Sequence, residues 1–427
     1  MLKSLSAAEN RRVAGDKPGV DRPLHVVVVD EELPYPPNSG KRIRTLNLLL
    51  PLAARHRITY LAYPNADPGE TEEAAAFLQS RGIQTVLVRR ALPGKSGLGF
   101  YGRLAWNLVS PLPYSVQVHG SRALQRAIAV HAARNRVDLW QCEWTPYAHS
   151  LAGAVAGPWI VMAHNVESLI WQRYWETESN PLKRWYIRRQ WEKFKKFERT
   201  IFAQASRAVF VSEADAARAR EQFAARRAGV VDNGVDVGHY QAAGQPRDRQ
   251  QILFLGSLDW RPNLDAVQSL LDRIFPRVRE CLPGARLVIV GRKPPRWLVD
   301  RAARTPGVEL HADVADVRPF LWQCGVMAVP LRLGGGSRLK ILEALAAECP
   351  VVSTKVGAEG LCIEPGKHFL QVDALADMAA ALTGCLGDPR ASGQMASLGR
   401  QVVATRYDWS VLAERLNAVW LEQGGQP

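Results

Sequence analysis

The strongest constraint on this chain is an alternation of short apolar strands with helical stretches that runs through residues 23–235. Such alternation is typical of a parallel sheet covered by helices, because the chain must cross back before the next parallel strand can pair. The seven predicted strands cover residues 25–29, 58–63, 84–88, 138–142, 159–163, 208–211 and 229–232. We therefore predict an α/β domain over 23–235, preceded by a loose tail at 1–22.

The alternation starts again after residues 236–250, which are polar, contain Gly and Pro, and lack a hydrophobic period, as a linker would. The second run of predicted strands covers residues 251–255, 285–290, 308–311, 326–329 and 351–353. It predicts a second α/β domain over 251–404 and a final helical segment over 405–427. Two doubly wound sheets leave a cleft between them, and ligands bind such sheets at the carboxyl ends of the strands.

The charge balance favours partners that carry phosphate. The chain has 55 Lys and Arg against 41 Asp and Glu, a formal net charge of +14, which suits a nucleotide, nucleic acid or anionic lipid. No nucleic-acid partner is expected, because the aromatic residues follow a packed helical pattern rather than an exposed strand face. The six Cys contain no CxxC pair, so we expect no zinc site and a reducing cytoplasm. No run approaches the roughly 18 apolar residues of a membrane span, so any membrane contact should be peripheral.

The most informative segment is PLRLGGGSRLKILEALA at residues 330–346, which follows a predicted strand and opens a helix. Its consecutive glycines, which include Gly335 and Gly336, let the backbone approach a ligand closely. The helix N-terminus behind them offers unpaired N–H groups and a positive dipole end to a phosphate. A solvated turn capped by Ser337 is the alternative, but it leaves the glycines and the nearby cations unexplained.

Three charged residues follow the glycines in the same segment. Arg338 and Lys340 lie in the first turn of the predicted helix, where cations oppose the helix dipole unless an anion is bound. Glu343 follows Lys340 by about one turn, so the two side chains share a face.

A second cluster of Gly and Lys, NSGKRIRT, follows the first predicted strand. It is not a P-loop, because this chain has Tyr35 and Arg42 where that motif needs a glycine and a hydroxyl residue. No GxGxxG follows the first strand of either domain, so the dinucleotide fingerprint is also missing. Gly40 and Lys41 then mark either an anion site or an ordinary helix N-terminus.

Polar residues follow three more predicted strands. His164 and Glu143 stand at the carboxyl ends of their strands, where they would face the cleft, although a lone histidine is often structural. In the loop GSLDWRPN, Ser257 and Arg261 could reach a diphosphate from the second domain. Equally, Pro262 could simply start the helix that follows.

Residues 171–202 predict a basic amphipathic helical segment. One face carries Tyr186, Ile187, Trp191, Phe194, Phe197, Ile201 and Phe202, and the other carries Arg188, Arg189, Lys193, Lys195, Lys196 and Arg199. Such a pattern is typical both of helices that lie on anionic membranes and of surface helices packed on their own sheet. The two interpretations are compatible if the apolar face docks inward and the basic face meets lipid.

Taken together, these pieces resemble the GT-B fold retaining glycosyltransferases of family 4, in particular exopolysaccharide-type members of the glycosyl transferases group 1. The matching segments are PPNSGKRIRTLNLL, AHNVES, VFVSEAD, VDNGVD, LGSLDWRPN, GGGSRLKILEALA and PVVSTKVGAEGL. The resemblance extends from the first strand to the last helix. It implies two Rossmann-like domains across a cleft and a C-terminal helix that crosses back to the first domain.

The resemblance assigns roles to individual residues of the donor site. Glu343 matches the second Glu of the family's paired-glutamate motif, which usually holds the donor ribose. Gly335 stands where the first Glu would be, so the backbone N–H groups of Gly335 and Gly336 would substitute for it. The family's Arg and Lys beside the diphosphate are replaced by Ser257 and Asn263.

Arg338, Lys340 and Arg261 are then the expected replacements for those two cations. In the first domain, His164 matches the family's histidine near the donor sugar, and Gly40 matches the glycine under the sugar and phosphate.

The resemblance implies transfer of a sugar from a nucleotide-diphosphate donor to a saccharide or polyprenyl-linked acceptor, with retention, in cell-surface polysaccharide biosynthesis. No cofactor or metal is expected, because nothing resembles the DxD carboxylate pair that would hold a metal. The expected location is the cytoplasm, at the inner face of the membrane if the basic segment binds lipid. A nucleotide-sugar 2-epimerase and a degenerate, non-catalytic relative that binds nucleotide or membrane are the alternatives.

Overall fold

The computed structural model describes residues 22–89, 94, 96–242, 244, 246–332 and 338–425, and it contains two parallel sheets. Buried apolar strands form both sheets. In the first strand of the chain, for example, all six residues of HVVVVD are buried. A strand that is apolar on both faces must be covered on both faces, which the helices of each domain do.

The first sheet has seven strands in the order β3-β2-β1-β4-β5-β6-β7, and every pairing between them is parallel. The strands are β1 (His25–Asp30), β2 (Arg57–Ala62), β3 (Ile83–Leu87), β4 (Leu139–Cys142), β5 (Trp159–Ala163), β6 (Arg207–Phe210) and β7 (Ala228–Val230). The helices are α1 (Gly40–Ala53), α2 (Pro68–Ser80), α3 (Leu98–Val109), α4 (Tyr114–His119), α5 (Arg122–Arg134), α6 (Ala148–Leu151), α7 (Glu167–Thr177), α8 (Pro181–Gln204) and α9 (Glu213–Phe223).

The second sheet has six parallel strands in the order β10-β9-β8-β11-β12-β13. The strands are β8 (Asp248–Leu255), β9 (Arg286–Gly291), β10 (Val308–Ala312), β11 (Cys324–Val329), β12 (Val351–Thr354) and β13 (Leu370–Val372). The helices are α10 (Arg261–Ser269), α11 (Phe275–Cys281), α12 (Arg296–Arg304), α13 (Arg318–Gln323), α14 (Leu339–Ala346), α15 (Leu375–Gly387) and α16 (Pro389–Arg406).

The last helix, α17 (Trp409–Gly424), returns to the first domain. Its buried residues Leu412, Leu416 and Trp420 belong to the same apolar core as β1 and α1. The indole N–H of Trp420 also donates to Gln141 in β4, at 2.6 Å. The crossing helix expected from the resemblance is therefore present.

The predicted fold is confirmed, and the predicted strands lie within a few residues of the observed ones. The end of the predicted linker differs, because residues 248–250 already belong to β8. The short strand β13 and the three helices α3, α4 and α5 were not predicted.

The basic segment 171–202 forms parts of two helices rather than one. α7 ends at Thr177, and Asn180 caps α8, with its side chain accepting the N–H groups of Leu182 and Lys183. Proline at the first position of α8 fits that helix start, because the missing N–H is not needed there.

Candidate active site

The carboxyl ends of the two sheets meet at a cleft that encloses a cavity of about 140 Å³. From the first domain, His164 and Asn165 follow β5, and Ser212 follows β6. From the second domain, Arg338 directly precedes α14 and Leu342 belongs to that helix. Both domains thus contribute side chains to one site, at the place where doubly wound sheets bind ligands.

Lys340 lies in the first turn of α14, directly after Arg338 and Leu339. Its Nζ donates to Oδ1 of Asn263 at 2.8 Å and lies 4.9 Å from the centre of the Phe254 ring. Within the part of the chain that the structure describes, no carboxylate oxygen lies within 4.0 Å of this ammonium. Burial lowers the pKa of Lys340 to about 7. A cation held beside a neutral amide at a helix N-terminus is a group that an anion would stabilise.

The loop after β8 is shaped around this ammonium. A Cβ atom at Gly256 would lie 2.8 Å from Nζ of Lys340 and 2.9 Å from the side chain of Asn263, so only glycine leaves room for the pair. In the same loop, the hydroxyl of Ser257 donates to Asp259 at 2.9 Å. Arg261 is exposed at the first residue of α10. Of the two cations near this loop, Lys340 therefore packs its ammonium against the loop, whereas Arg261 is exposed to solvent.

Glu343 lies on the same helix and forms a hydrogen bond with the hydroxyl of Tyr240. Burial raises the pKa of its carboxyl group. Tyr240 comes from the segment between the two domains, and its backbone oxygen accepts the indole N–H of Trp322 at 2.9 Å. The linker thus helps to position the carboxyl group that, by the resemblance, would hold a ribose.

Arg338 is the residue before α14 and is only 7% exposed. Its guanidinium lies 3.3 Å from Glu359, and burial lowers its pKa, helped by the like charge of Arg173 from α7. Arg173 and Arg338 both line the cavity, one from each domain. The predicted backbone contacts of Gly335 and Gly336 lie outside the described residues.

His164 is held by a carboxylate of its own domain. Its Nε2 lies 3.3 Å from Oε2 of Glu143, which also accepts a hydrogen bond from Thr45 at 3.1 Å. Glu143 is 2% exposed. Burial alone would raise its pKa, but the contacts with His164, with Gln141 and with the charge of Arg44 hold the pKa below its usual value. Glu143 therefore stays ionised and orients the imidazole toward the cleft.

The loop that carries His164 is anchored from α8. The buried carboxylate of Glu198 accepts the backbone N–H groups of Glu167 at 2.6 Å and Ser168 at 3.2 Å. These are orphan donors at the start of α7, so Glu198 stabilises that helix N-terminus as a cap would. The indole N–H of Trp144 donates to Glu167 at 2.8 Å and fixes the same loop from β4.

Gly40 and Lys41 lie at the start of α1, and their environments differ. Gly40 is exposed, and a Cβ atom there would meet nothing within 4 Å, so a ligand has room to approach. Nζ of Lys41 lies 2.5 Å from Asp30, which is 1% exposed, and 3.5 Å from Glu31. The charge of Lys41 is thus compensated inside its own domain and is not brought together with Lys340.

Several residues of the site were not predicted as members of it. Gly256 is one, and its position directly after a strand was the available signal. Tyr240, Arg173 and Glu198 had no signal, because their roles depend on contacts between distant elements. Among the described residues, no group of three His, Cys, Asp or Glu side chains is arranged to hold a metal.

Two Rossmann-like domains that face each other through their strand ends, joined by a C-terminal crossing helix, define a protein of the GT-B class. The family model described as Glycosyltransferase Family 4 matches residues 71–239, and that described as Glycosyl transferases group 1 matches residues 249–388. The chain belongs to these GT-B glycosyltransferases.

Curated relatives match parts of the chain. A glycogen synthase of Mycobacterium tuberculosis is 29% identical over 206 residues, which are 45% of this chain and 48% of that protein. A GDP-mannose-dependent alpha-(1-6)-phosphatidylinositol monomannoside mannosyltransferase of Mycolicibacterium smegmatis is 28% identical over 163 residues, 35% of this chain and 43% of that protein. The chain thus spans about half the length of the curated relatives it matches.

Among solved structures, HepE of Anabaena, crystallised with UDP and glucose, superposes with a TM-score of 0.64. It is 14% identical and covers 93% of this chain and 100% of the HepE chain. At this identity the likeness concerns the fold.

Proposed function

We propose that this protein is a hexosyltransferase that moves a sugar from a nucleotide-diphosphate donor to a saccharide or polyprenyl-linked acceptor, with retention, in cell-surface polysaccharide biosynthesis. The observation that carries the proposal is the ammonium of Lys340, which lies at the N-terminus of α14 beside a neutral amide. Since burial has lowered its pKa to about 7, a bound diphosphate would favour its charged form.

The donor would lie with its diphosphate against α14 and its ribose against Glu343. During transfer, the bond between the anomeric carbon and the diphosphate oxygen breaks, and negative charge builds on the leaving nucleoside diphosphate. Lys340, Arg338 and the N–H groups of the helix N-terminus would stabilise that charge. Gly335 and Gly336 would add backbone N–H groups, and Ser257 and Arg261 would approach the diphosphate from the loop after β8.

The sugar would lie between the second domain and His164. The acceptor oxygen would attack the anomeric carbon from the face that the diphosphate leaves, and a phosphate oxygen would take its proton. Glu143 holds Nε2 of His164 at 3.3 Å, so the imidazole would be fixed in orientation beside the sugar, leaving its other ring nitrogen to contact the donor. Gly40 would allow the sugar to approach the start of α1.

Similar proteins support the type of donor. HepE was crystallised with UDP and glucose, and the matched mannosyltransferase is described as GDP-mannose-dependent. The similarity to a glycogen synthase supports a saccharide acceptor, and the similarity to WaaG, a glycosyltransferase involved in lipopolysaccharide biosynthesis, supports a role at the cell surface. We place the reaction in the cytoplasm, at the inner face of the membrane, without a metal cofactor.

The basic segment 171–202 supports contact with an anionic membrane. Its apolar residues Phe194, Phe197 and Ile201 are buried against the first domain, so the apolar face of α8 is not available to lipid. Its basic residues Lys183, Arg184, Arg188, Arg189, Lys196 and Arg199 are exposed. No helix within the described ranges has the length and apolar character needed to cross a bilayer.

The test is a thermal-shift panel of nucleoside diphosphates and nucleotide sugars, followed by transfer of the labelled sugar to saccharide and polyprenyl-phosphate acceptors. A ligand that binds only the folded protein raises its melting temperature, so one donor should stand out. That donor should give a glycosylated product in the presence of EDTA, and product analysis should show retention. Stabilisation by a donor with no product on any acceptor, or conversion of the free nucleotide sugar into an epimer, would overturn the proposal.

A further inference from the structure

Helix α3 presents an apolar face to solvent. Leu98 is 91% exposed, Val109 77%, Trp106 70% and Tyr101 66%. At about 100° per residue these side chains fall on one side of the helix, and none of the exposed residues of α3 is charged. Exposed aromatic and aliphatic side chains grouped on one helix face mark an interaction surface, whereas single exposed apolar residues do not.

The opposite side of α3 is fixed to α8. The side-chain amide of Gln190 donates to Oδ1 of Asn107 at 2.7 Å, and the ammonium of Lys193 donates to the backbone oxygen of Asn107 at 2.5 Å. Asn107 is fully buried. The contacts of Asn107 with α8 therefore fix the orientation of α3, so that its apolar face points to solvent.

A basic surface lies beside this apolar face. Arg189 and Lys196 are exposed on α8, about one turn to either side of Lys193, which holds the end of α3. Arg184 and Arg188 are exposed on the preceding turns, farther around α8 from Lys193. An apolar face that contains Trp and Tyr, bordered by Arg and Lys, matches the interface of an anionic bilayer, where the rings enter the headgroup region and the cations meet phosphate.

We propose that α3 inserts its apolar face into the surface of an anionic membrane, with the basic face of α8 on the lipid headgroups. A second copy of this chain fits the surface less well, because it would bring a second basic face to the same contact. The proposal rests on the membrane contact proposed above, for which it names the inserting helix, and it does not depend on the sugar-transfer reaction.

The position of α3 in the fold would place a bound membrane near the cleft. The chain enters α3 from the carboxyl end of β3, and α4 returns it to the same edge, where the hydroxyl of Tyr63 donates to the backbone oxygen of His119 at 2.9 Å. Tyr63 directly follows β2, so both ends of the α3–α4 excursion lie at the sheet edge that faces the cleft. A membrane bound by α3 would hold lipid close to the first-domain side of the active site.

The experiment is co-sedimentation of the full chain with vesicles of phosphatidylcholine and phosphatidylglycerol, and with vesicles of phosphatidylcholine alone. The test variant replaces Leu98, Trp106 and Val109 with Ser. The control variant replaces Trp297, Val299 and Leu398 with Ser, three residues of the second domain that are 43%, 43% and 40% exposed. Because all six positions are exposed, both variants should melt as the wild type does, and Trp106→Ser alone serves as a milder version.

We expect the wild type to bind the anionic vesicles and to release them at high salt. The α3 variant should bind at least about tenfold more weakly, because it loses most of the inserted apolar area. The control variant should bind as the wild type does. Absence of wild-type binding, or equal binding by the α3 variant, would overturn the proposal. So would a wild-type dimer that the α3 variant dissociates, because the face would then join two copies of the chain.

Discussion

The cations on the two sides of the cleft have different environments. In the first domain, Lys41 lies 2.5 Å from the buried carboxylate of Asp30. Arg42 is paired with Glu32 at 2.5 Å and with Glu70 at 2.7 Å.

In the second domain, Lys340 contacts the neutral amide of Asn263 and the ring of Phe254. Paired charges stabilise the folded domain. A partly buried ammonium that contacts only a neutral amide and a ring is instead stabilised when an anionic ligand binds beside it. Both lysines follow a strand and start a helix, so their sequence context alone does not separate them.

The largest effect is expected for Lys340→Ala. The variant should bind the nucleotide sugar about a hundredfold more weakly, because it loses a charge-assisted contact to the diphosphate. Isothermal titration calorimetry with the donor found in the thermal-shift panel measures the change. Lys367→Ala, at an exposed lysine paired with Glu364, is the matched control and should bind as the wild type does. Equal losses in the two variants would remove Lys340 from the site.

His164→Ala should lower kcat about a hundredfold, since the side chain would act on the sugar in the transition state. The KM for the donor should change little. Glu143→Gln should have a smaller effect on kcat, because it keeps the size of the side chain and loses only the charge that orients the imidazole. Initial rates at saturating donor and acceptor separate the two constants. A His164→Ala enzyme with unchanged kcat would contradict the assigned role.

Lys41→Met tests whether the ion pair between Lys41 and Asp30 stabilises the first domain. The variant leaves Asp30 buried without its cation, so the free energy of unfolding should fall by about 2 kcal/mol, measured in urea. Lys195→Met removes a partner of Glu192 in a solvent-exposed pair and should cost less than about 0.5 kcal/mol. If Lys41→Met instead kept its stability and lost donor affinity, Lys41 would belong to the ligand site.

Gly256→Ala sharpens the comparison by moving Lys340 without removing it. The added methyl group would lie 2.8 Å from the ammonium and displace it from Asn263, so donor affinity should fall by about tenfold. Gly393→Ala, on α16 of the same domain, would place its methyl group where nothing lies within 4 Å. That control should leave affinity unchanged. An unchanged affinity in Gly256→Ala would show that the position of the ammonium does not matter.

Much of the fold could be predicted because parallel strands buried on both faces are continuous apolar runs, such as VVVV in β1. β13 was not predicted, because a strand of three residues is too short to show an alternating or continuous apolar pattern. α3 was not predicted, because its apolar residues face solvent, whereas the apolar face of a surface helix usually packs on the core. The segment 171–202 was predicted with the correct buried face, but its division into two helices was not.

The site was less predictable than the fold. The position of His164 after β5 and that of Lys340 at the start of α14 follow from the local pattern, but their partners Glu143 and Asn263 come from other elements. Local sequence could not show that Asp30 compensates Lys41, because that contact depends on the packing of α1 against β1. The roles of Gly335 and Gly336 stay predictions.

The most direct test of the central claim is the number of protons taken up when the donor binds. The pKa of Lys340 is about 7 in the free protein, so the side chain is mostly neutral one pH unit higher. A diphosphate raises that pKa, so binding there should take up about one proton, and affinity should fall as the pH rises above the free pKa. Calorimetry in buffers of different ionisation enthalpy measures the uptake.

Lys340→Arg keeps a positive charge that does not titrate in this range, so its donor binding should take up no proton. Uptake of about one proton by the wild type and none by Lys340→Arg is the result that we predict. No uptake by the wild type, or the same uptake by both proteins, would contradict the claim that Lys340 binds the diphosphate.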